Sequence, residues 1–319
     1  MTTPNNGNLG GNITAMRFPR RSGVLLHITS LPGPHGSGDL GPDAYHFVDW
    51  LQASGQSLWQ FLPLGNLGVG YSPYMSSSAF AGNVLLIDLA ELQQRGWLGA
   101  DDLAPTDGLH GAQVNFERVI PFRMERLQRA AQRFAASATP QERADLAAFR
   151  AAHAQWLDDY ALFMALSEHF EDRLWSDWDA PLAQRQPAAL LQARAEHAER
   201  IDFWTFAQWC FFRQWGALRA YAHSRRVKLV GDMPIFISLN SADVWARPDL
   251  FQLDAAGRPT VVTGVPPDYF SATGQRWGNP HYRWAAHEAE GFAWWIARLR
   301  ATFSLVDLVR IDHFRGFDS

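Results

Sequence analysis

Residues 23–64 read "GVLLHITSLPGPHGSGDLGPDAYHFVDWLQASGQSLWQFLPL", with an amphipathic segment between two apolar ones. The outer segments, residues 23–29 and 57–64, are apolar on both faces, which is typical of strands buried in a parallel sheet. Between them, Pro42 and Gly55 mark the start and the end of a helix whose apolar residues repeat at helical spacing. The stretch predicts one βαβ unit, the repeating element of doubly wound sheets and closed barrels.

Two later segments have the same apolar character on both faces and predict a third and a fourth buried strand. They are residues 228–238, "KLVGDMPIFIS", and residues 305–313, "LVDLVRIDH". The gap between the second and third strands is far longer than a crossover requires, so we expect an insertion there. Alanine-rich segments with helical periodicity predict a helical subdomain over residues 114–200.

The region between the third and fourth strands divides into a loop and a helix. Residues 249–284 are too rich in Gly and Pro for a helix and predict a long loop, with a hairpin turn at "DAAGRP". A helix over residues 285–302 then leads into the fourth strand. Loops of this length in compact domains are seldom without a function.

Composition limits the possible functions. The chain has 319 residues, a formal net charge of -4 and no long run of like charges, which argues against nucleic acid and anionic membranes as partners. The single cysteine, Cys210, excludes an internal disulfide and indicates a reducing, cytoplasmic compartment. Residues 1–21 predict a disordered polar tail, and the apolar segment from Phe203 is interrupted by charged residues, which indicates a buried helix.

Charged residues at the ends of two predicted strands are candidates for chemistry. Arg310 and Asp312 share one face of the fourth strand, so the arginine can keep that carboxylate ionised. An ionised carboxylate at the carboxyl end of a barrel strand suits a nucleophile, although an Arg/Asp pair can also be purely structural. Asp232 ends the third strand among apolar neighbours, and satisfaction by backbone amides is the alternative interpretation there.

Aromatic residues outside the predicted core are candidates for sugar or protein contacts. Tyr71 and Tyr74 follow the second strand, at the edge where barrel loops carry function. Trp277 lies in the Gly/Pro-rich segment, which offers fewer buried core positions for a side chain of this size than a helix or strand does. Exposed aromatic faces suit sugar rings and protein partners alike, so residue type alone leaves both possibilities open.

Five sequence blocks together resemble, in order, signature motifs of the 4-α-glucanotransferases, also called amylomaltases or disproportionating enzymes. The resemblance covers roughly residues 22–317, and the VPPD and RIDHFRG motifs are its most specific parts. The blocks are "SLPGPHGSGDLG", "YSPYMSSSAFAGN", "GDMPIF" with "SADVWARP", "GVPPDYFSATGQRWGNPHYRW" and "VRIDHFRGF".

The resemblance implies an α/β fold, a (β/α)8 TIM barrel of the α-amylase type with helical insertions. It also implies a retaining double displacement that transfers a 1,4-α-glucan segment to glucose or a maltooligosaccharide, with starch- or glycogen-derived glucans as substrates and no metal or organic cofactor. Asp312 matches the nucleophile, and Arg310 and His313 match its neighbours. The other matching positions, which the resemblance assigns to substrate binding, are Asp232, Tyr71, Tyr74, Asp268, Tyr269, Phe270, Gln275 and Trp277.

The resemblance also implies a division of the chain and a departure in length. Residues 22–319 correspond to the N-terminal part of the catalytic barrel, with about four of its eight strands, and 249–284 to a loop that covers the substrate. The family's acid/base glutamate and third carboxylate are expected beyond residue 319, so we expect this chain alone to be unstable and inactive. A glucan-binding protein that lacks catalysis is the alternative function.

Overall fold

The computed structural model describes residues 19–104, 108–109, 111 and 113–317, so most of the predicted N-terminal tail lies outside the described residues. A four-stranded sheet and a two-stranded hairpin account for the strands of this part of the chain. The strands are β1 (Gly23–Leu25), β2 (Leu58–Gln60), β3 (Lys228–Met233), β4 (Val262–Val265), β5 (Gln275–Pro280) and β6 (Leu308–Ile311).

Helices make up most of the remaining regular structure. The helix α1 begins at Pro42, where the missing N–H of proline is not needed, as the sequence predicts. The helices are α1 (Pro42–Ala53), α2 (Leu89–Gln94), α3 (Phe116–Ser137), α4 (Pro140–His169), α5 (Ala180–Ala183), α6 (Pro187–Glu196), α7 (Ala198–Ser224), α8 (Ala242–Ala246), α9 (Trp284–Ala289) and α10 (Ala293–Leu305).

The four strands predicted to be buried form one parallel sheet in the order β1-β2-β3-β6. The register of β3 and β6 pairs Asp232 with Arg310 and Met233 with Ile311. Because parallel strands end at the same edge, this register places the charged residue types of both strands next to each other. The sheet therefore determines where the candidate site lies.

The two longest helices, α4 and α7, pack against each other beside the sheet. The N-terminus of α4 is closed by a capping box, in which Thr139 accepts from the Glu142 amide and Glu142 accepts from the Thr139 amide. The apolar segment from Phe203 lies inside α7 and is mostly buried. In the described part of the chain, no helix combines the length and the apolar character that a membrane crossing requires.

The loop after β2 is anchored to these two helices by buried amides. Gln208 of α7 both donates to the Gly82 carbonyl at 2.9 Å and accepts from the Gly82 amide at 2.8 Å. A Cβ atom at Gly82 would lie 2.0 Å from the Phe211 ring, so only glycine fits there. Asn66 donates to the Tyr160 hydroxyl at 2.6 Å. The helices thus fix both ends of the loop that carries Tyr74.

Residues 249–284, which the sequence analysis interprets as a long loop, contain the antiparallel pair β4 and β5. The glycines that suggested a loop occupy positions that the hairpin requires. Gly274 has a φ of +74° in the turn, and a Cβ atom at Gly264 would lie 2.5 Å from the Gln275 carbonyl oxygen. The "DAAGRP" segment does form a tight turn, with the Asp254 amide donating to the Arg258 carbonyl.

A buried ion pair joins the loop after β1 to the helix α3. Arg123 is fully buried and donates to Asp39 at 2.8 Å, to the Ile87 carbonyl at 3.0 Å and to the Ser37 carbonyl at 3.2 Å. Asp39 also accepts from the Gly41 amide at 3.0 Å, at the start of α1. A buried guanidinium depends on such partners, because an unpaired charge in the interior is strongly unfavourable.

We expect Asp39→Asn to lower the free energy of unfolding by about 3–5 kcal/mol, because it leaves the buried Arg123 charge without a counter-charge. Urea titration of the protein measures this loss. Asp101→Asn is the matched control, since Asp101 is exposed, and it should change stability by less than about 0.5 kcal/mol. If the Asp39→Asn protein were as stable as the control, the ion pair would not have this structural role.

Candidate active site

The carboxyl ends of β3 and β6 bring together two carboxylates and one guanidinium. Arg310 Nη1 donates to both oxygens of Asp232, at 3.0 and 2.9 Å, and Arg310 Nη2 lies 2.8 Å from Asp312 Oδ2. The guanidinium therefore bridges the carboxylate of one strand to the carboxylate of the next. Such charge-assisted contacts fix the relative orientation of the three side chains as well as the distances between them.

The loop after β2 adds Tyr74 to this group. Its hydroxyl donates to Asp232 Oδ2 at 2.7 Å, and its backbone amide donates to the Ser72 hydroxyl oxygen. Burial, followed by the hydrogen bond to Asp232, raises the pKa of Tyr74 well above its usual value. Tyr74 is therefore a permanent donor, and Asp232 is satisfied by side chains rather than by the backbone amides that the alternative interpretation required.

The two carboxylates differ in access to solvent. The Asp232 side chain is 3% exposed, whereas the Asp312 side chain is 41% exposed and lines an open cleft. Partial burial opposes ionisation of Asp312, but hydrogen bonds from Arg310 and from the His313 amide outweigh it and lower its pKa. Asp312 is therefore an ionised, accessible carboxylate, which is the state that a nucleophile requires.

The residue after Asp312 has an unusual backbone conformation. His313 has a φ of 47°, in the left-handed region that residues other than glycine seldom adopt. This conformation directs its amide to Asp312 Oδ1 at 3.0 Å, and its ring nitrogen Nε2 lies 3.8 Å from Asp312 Oδ2. Strained backbone of this kind is found preferentially at functional sites.

The cleft in front of Asp312 has a volume of about 490 Å³ and an aromatic wall. Trp277 and His313 are in contact, with ring centroids 4.6 Å apart, and Phe236 lies 6.4 Å from Trp277. Aromatic faces next to polar groups suit the alternating C–H and O–H surfaces of a sugar ring. The lining residues are Val69, Ser72, Tyr74, Met75, Pro234, Ile235, Phe236, Gln275, Trp277, Asn279, Asp312 and His313.

Several residues predicted for substrate binding lie outside this lining. Tyr269 and Phe270 are 99% and 87% exposed at the tip of the hairpin, and the Asp268 carboxylate accepts from the Phe270 and Ser271 amides within its own turn. Tyr71 is half-exposed and contacts the ring of Phe116 at 5.2 Å. The structure thus brings Asp232, Tyr74, Arg310, Asp312, His313, Gln275 and Trp277 together, and leaves Tyr71, Asp268, Tyr269 and Phe270 at the periphery.

Three residues that line the cleft, Met75, Phe236 and Asn279, are not indicated as site residues by the sequence pattern. Phe236 continues an apolar strand segment and is therefore indistinguishable from a core residue by pattern. Asn279 donates to the Met75 sulfur at 3.6 Å, which joins the hairpin to the loop after β2. The sequence feature that could have identified them is their position near the ends of predicted strands, since the functional residues of parallel sheets are concentrated there.

Metal binding has no evident basis in the described residues. Within this part of the chain, no three His, Cys, Asp or Glu side chains are grouped as metal ligands would be. Cys210 is buried in α7, and burial raises the pKa of its thiol to about 12.

Comparison with known proteins gives a consistent result. A family model described as 4-alpha-glucanotransferase, glycoside hydrolase family 77, matches residues 26–319. The chain is 51% identical over 304 residues to a 4-alpha-glucanotransferase of Thermus thermophilus, and this match covers 95% of the chain and 60% of the relative. It is 44% identical over 302 residues to a 4-alpha-glucanotransferase of Streptococcus pneumoniae, covering 94% of the chain and 59% of the relative.

A solved structure agrees with these sequence matches. The chain superposes on an amylomaltase from Streptococcus agalactiae in complex with acarbose with a TM-score of 0.89 and 39% sequence identity. The match covers 94% of this chain and 60% of the amylomaltase chain. The chain thus spans about three fifths of the length of the relatives that it matches.

We expect Arg310→Met to raise the pKa of Asp312, because it removes the strongest hydrogen bond to the ionised form. A 13C titration of the Asp312 carboxyl carbon, assigned with Asp312→Asn, measures the change. In the unaltered protein the carboxylate persists to lower pH, so the variant should protonate first as pH falls. Arg315→Met, which removes a nearby exposed arginine, is the control, and equal titrations in the two variants would contradict the assignment.

Proposed function

Because the chain belongs to the 4-alpha-glucanotransferase family, we propose that the protein carrying it transfers segments of 1,4-α-D-glucan to a 4-hydroxyl acceptor. The donors are maltooligosaccharides and glucans derived from starch or glycogen, and the acceptor is glucose or a maltooligosaccharide. The observation that supports this most directly is Asp312, an ionised carboxylate open to an aromatic-walled cleft and held by Arg310. The transferase names of the relatives favour this function over glucan binding without catalysis.

The proposed reaction is a retaining double displacement. Asp312 attacks the anomeric carbon of the donor, the glycosidic C–O bond breaks, and the leaving oxygen takes a proton from a general acid. In the second step the acceptor 4-hydroxyl attacks the same carbon, gives its proton to the conjugate base and releases Asp312. Balanced proton transfer requires a second carboxyl group about 5–5.5 Å from the nucleophile.

Asp232 does not suit the role of that acid. Its carboxylate already accepts from Arg310 and Tyr74 and is almost completely buried. We propose instead that Asp232 and Tyr74 hold Arg310 and bind donor hydroxyls at the edge of the cleft. We propose no residue among positions 1–319 as the general acid.

The hairpin is proposed to cover the donor glucan. Tyr269 and Phe270 present two large apolar rings to solvent at its tip, and Gln275 and Trp277 connect that tip to the cleft. When the hairpin closes over the ligand, an aromatic pair at its tip makes it easier to exclude water from the sugar site. Closure would bring Asp268 toward the donor together with these rings.

The wider architecture is proposed on the same basis. We infer that the four parallel strands form part of a (β/α)8 barrel of the α-amylase type, with residues 114–200 as a helical insertion and 249–284 as the segment that covers the substrate. The buried Cys210 is the only cysteine, which is consistent with a cytoplasmic location. Neither nucleic acid nor a membrane is proposed as a partner.

The complete gene product should convert maltotriose into glucose and longer maltooligosaccharides, which chromatography of the products detects. Asp312→Asn should reduce kcat by roughly 10³-fold or more, because it removes the nucleophile. Asp179→Asn changes an exposed aspartate before α5 and should retain activity. An unaltered protein that leaves maltotriose unchanged, or an Asp312→Asn variant as active as the control, would contradict the proposal.

Alanine at both Tyr269 and Phe270 should raise KM for a long donor such as maltoheptaose about tenfold, equivalent to about 1.4 kcal/mol of binding. Because both rings are solvent-exposed, thermal stability should not change. Leu191→Ala on α6 provides the control, since Leu191 is 73% exposed and far along the chain from the hairpin. An unchanged KM in the double variant would exclude a role for the tip in donor binding.

A further inference from the structure

A buried arginine on α10 contacts the backbone that follows β3. The Arg298 side chain is 2% exposed and lies beside the rings of Trp294 and Trp295, with its guanidinium carbon 5.5 and 5.0 Å from their centroids. It donates from Nη1 to the Ile235 carbonyl at 3.2 Å and from Nη2 to the Pro234 carbonyl. Its hydrogen bonds therefore converge on one short segment.

This guanidinium is held by dipoles and aromatic rings rather than by an ion pair. In the described part of the chain Arg298 makes no salt bridge within 4 Å, but its charge partly offsets the rise that burial causes in the pKa of the Asp243 carboxyl. Burial of a guanidinium without a direct ion pair is unfavourable, and an apolar side chain would fill the same space at lower cost. Unlike an apolar side chain, the arginine fixes the orientation of two consecutive carbonyl groups by donating hydrogen bonds to them.

Tyr282 completes the same arrangement from the end of the hairpin. Its hydroxyl donates to the Ile235 carbonyl at 2.7 Å and accepts from Arg298 Nη1 at 3.2 Å. The backbone of Tyr282 is paired with Phe251, which fixes the position of the ring. The Ile235 carbonyl thus receives two donors, and both belong to fully buried side chains.

The segment held in this way forms the floor of the candidate active site. Pro234, Ile235 and Phe236 all line the cleft, two to four residues after Asp232. The Phe236 ring stacks on Tyr282, with centroids 6.1 Å apart and planes 18° apart, and it also contacts the rings of His281 at 5.5 Å and Trp277 at 6.4 Å. A displacement of the Pro234 and Ile235 carbonyls would therefore move the aromatic wall.

We propose that Arg298 and Tyr282 are positioning residues that hold Phe236 in the orientation that binds the donor glucan. The inference rests on the proposed transferase function and adds to it a determinant of donor affinity. Neither residue lines the cleft, so both act through the carbonyls of Pro234 and Ile235 and through the Phe236 ring. Substitutions should therefore affect KM more than kcat, because the wall contacts donor in the ground state and in the transition state alike.

The test uses Arg298→Met, Arg298→Lys and Tyr282→Phe in the complete gene product. Arg298→Met should raise KM for maltotriose about tenfold and change kcat less than about threefold. Arg298→Lys, which retains a donor, should restore part of the affinity, and Tyr282→Phe should give a smaller rise in KM. Arg300→Met, an exposed position on the same helix, is the matched control and should leave KM unchanged.

A double-mutant cycle separates positioning from general stability. If Arg298 acts through Phe236, Phe236→Leu should raise KM and Arg298→Met should add little to it in that background. A purely structural role would instead lower the thermal midpoint and the active fraction, with KM unchanged or with additive effects, and either result overturns the inference. Where Arg298→Met fails to fold, the lysine and phenylalanine variants provide the same KM comparison.

The inference and the proposed function can fail separately. An unaltered protein that is inactive on maltotriose contradicts the transferase function, and calorimetric binding of maltoheptaose then replaces KM. A tenfold weaker Kd in Arg298→Met would still support positioning. An equal Kd, or no binding by the unaltered protein, would overturn it.

Discussion

The candidate site depends on one guanidinium that joins two neighbouring strands. Arg310 reaches across the sheet to Asp232 and along its own strand to Asp312, so one side chain sets the spacing of both carboxylates. This contact exists only in the register that pairs Arg310 with Asp232, and a shift of one residue would send the arginine to the opposite face. The register of the sheet is therefore the physical basis of the site.

Further layers of contacts hold this centre in place. The helices α4 and α7 fix the loop that carries Tyr74, through the buried amides of Asn66 and Gln208. From the other side, Arg298 and Tyr282 hold the segment that carries Phe236. Rigid supports of this kind are what allow a side chain to keep productive geometry, since loops alone are mobile.

Much of the fold, and the centre of the site, could be predicted from the sequence. Strand segments that are apolar on both faces indicated the parallel sheet. The charged residues at the ends of two of these segments, Asp232 and Asp312, indicated the candidate site. The hairpin was not predictable, because Gly264 and Gly274 have the same signature in a loop as in a tight strand pair. Phe236 was not predictable as a site residue for a related reason. An apolar residue in a predicted strand indicates a core position, and only the three-dimensional position of Trp277 beside Phe236 shows that Phe236 lines a cleft.

The central claim, that Asp312 forms a covalent bond with the donor sugar, has a direct test. The complete gene product is incubated with a fluorinated α-glucosyl fluoride whose glycosyl-enzyme intermediate hydrolyses slowly, and its peptides are sequenced by mass spectrometry. The account predicts a hexose-derived adduct on the peptide that contains Asp312. An adduct on Asp232 or another carboxylate, or inactivation without any adduct, would contradict it.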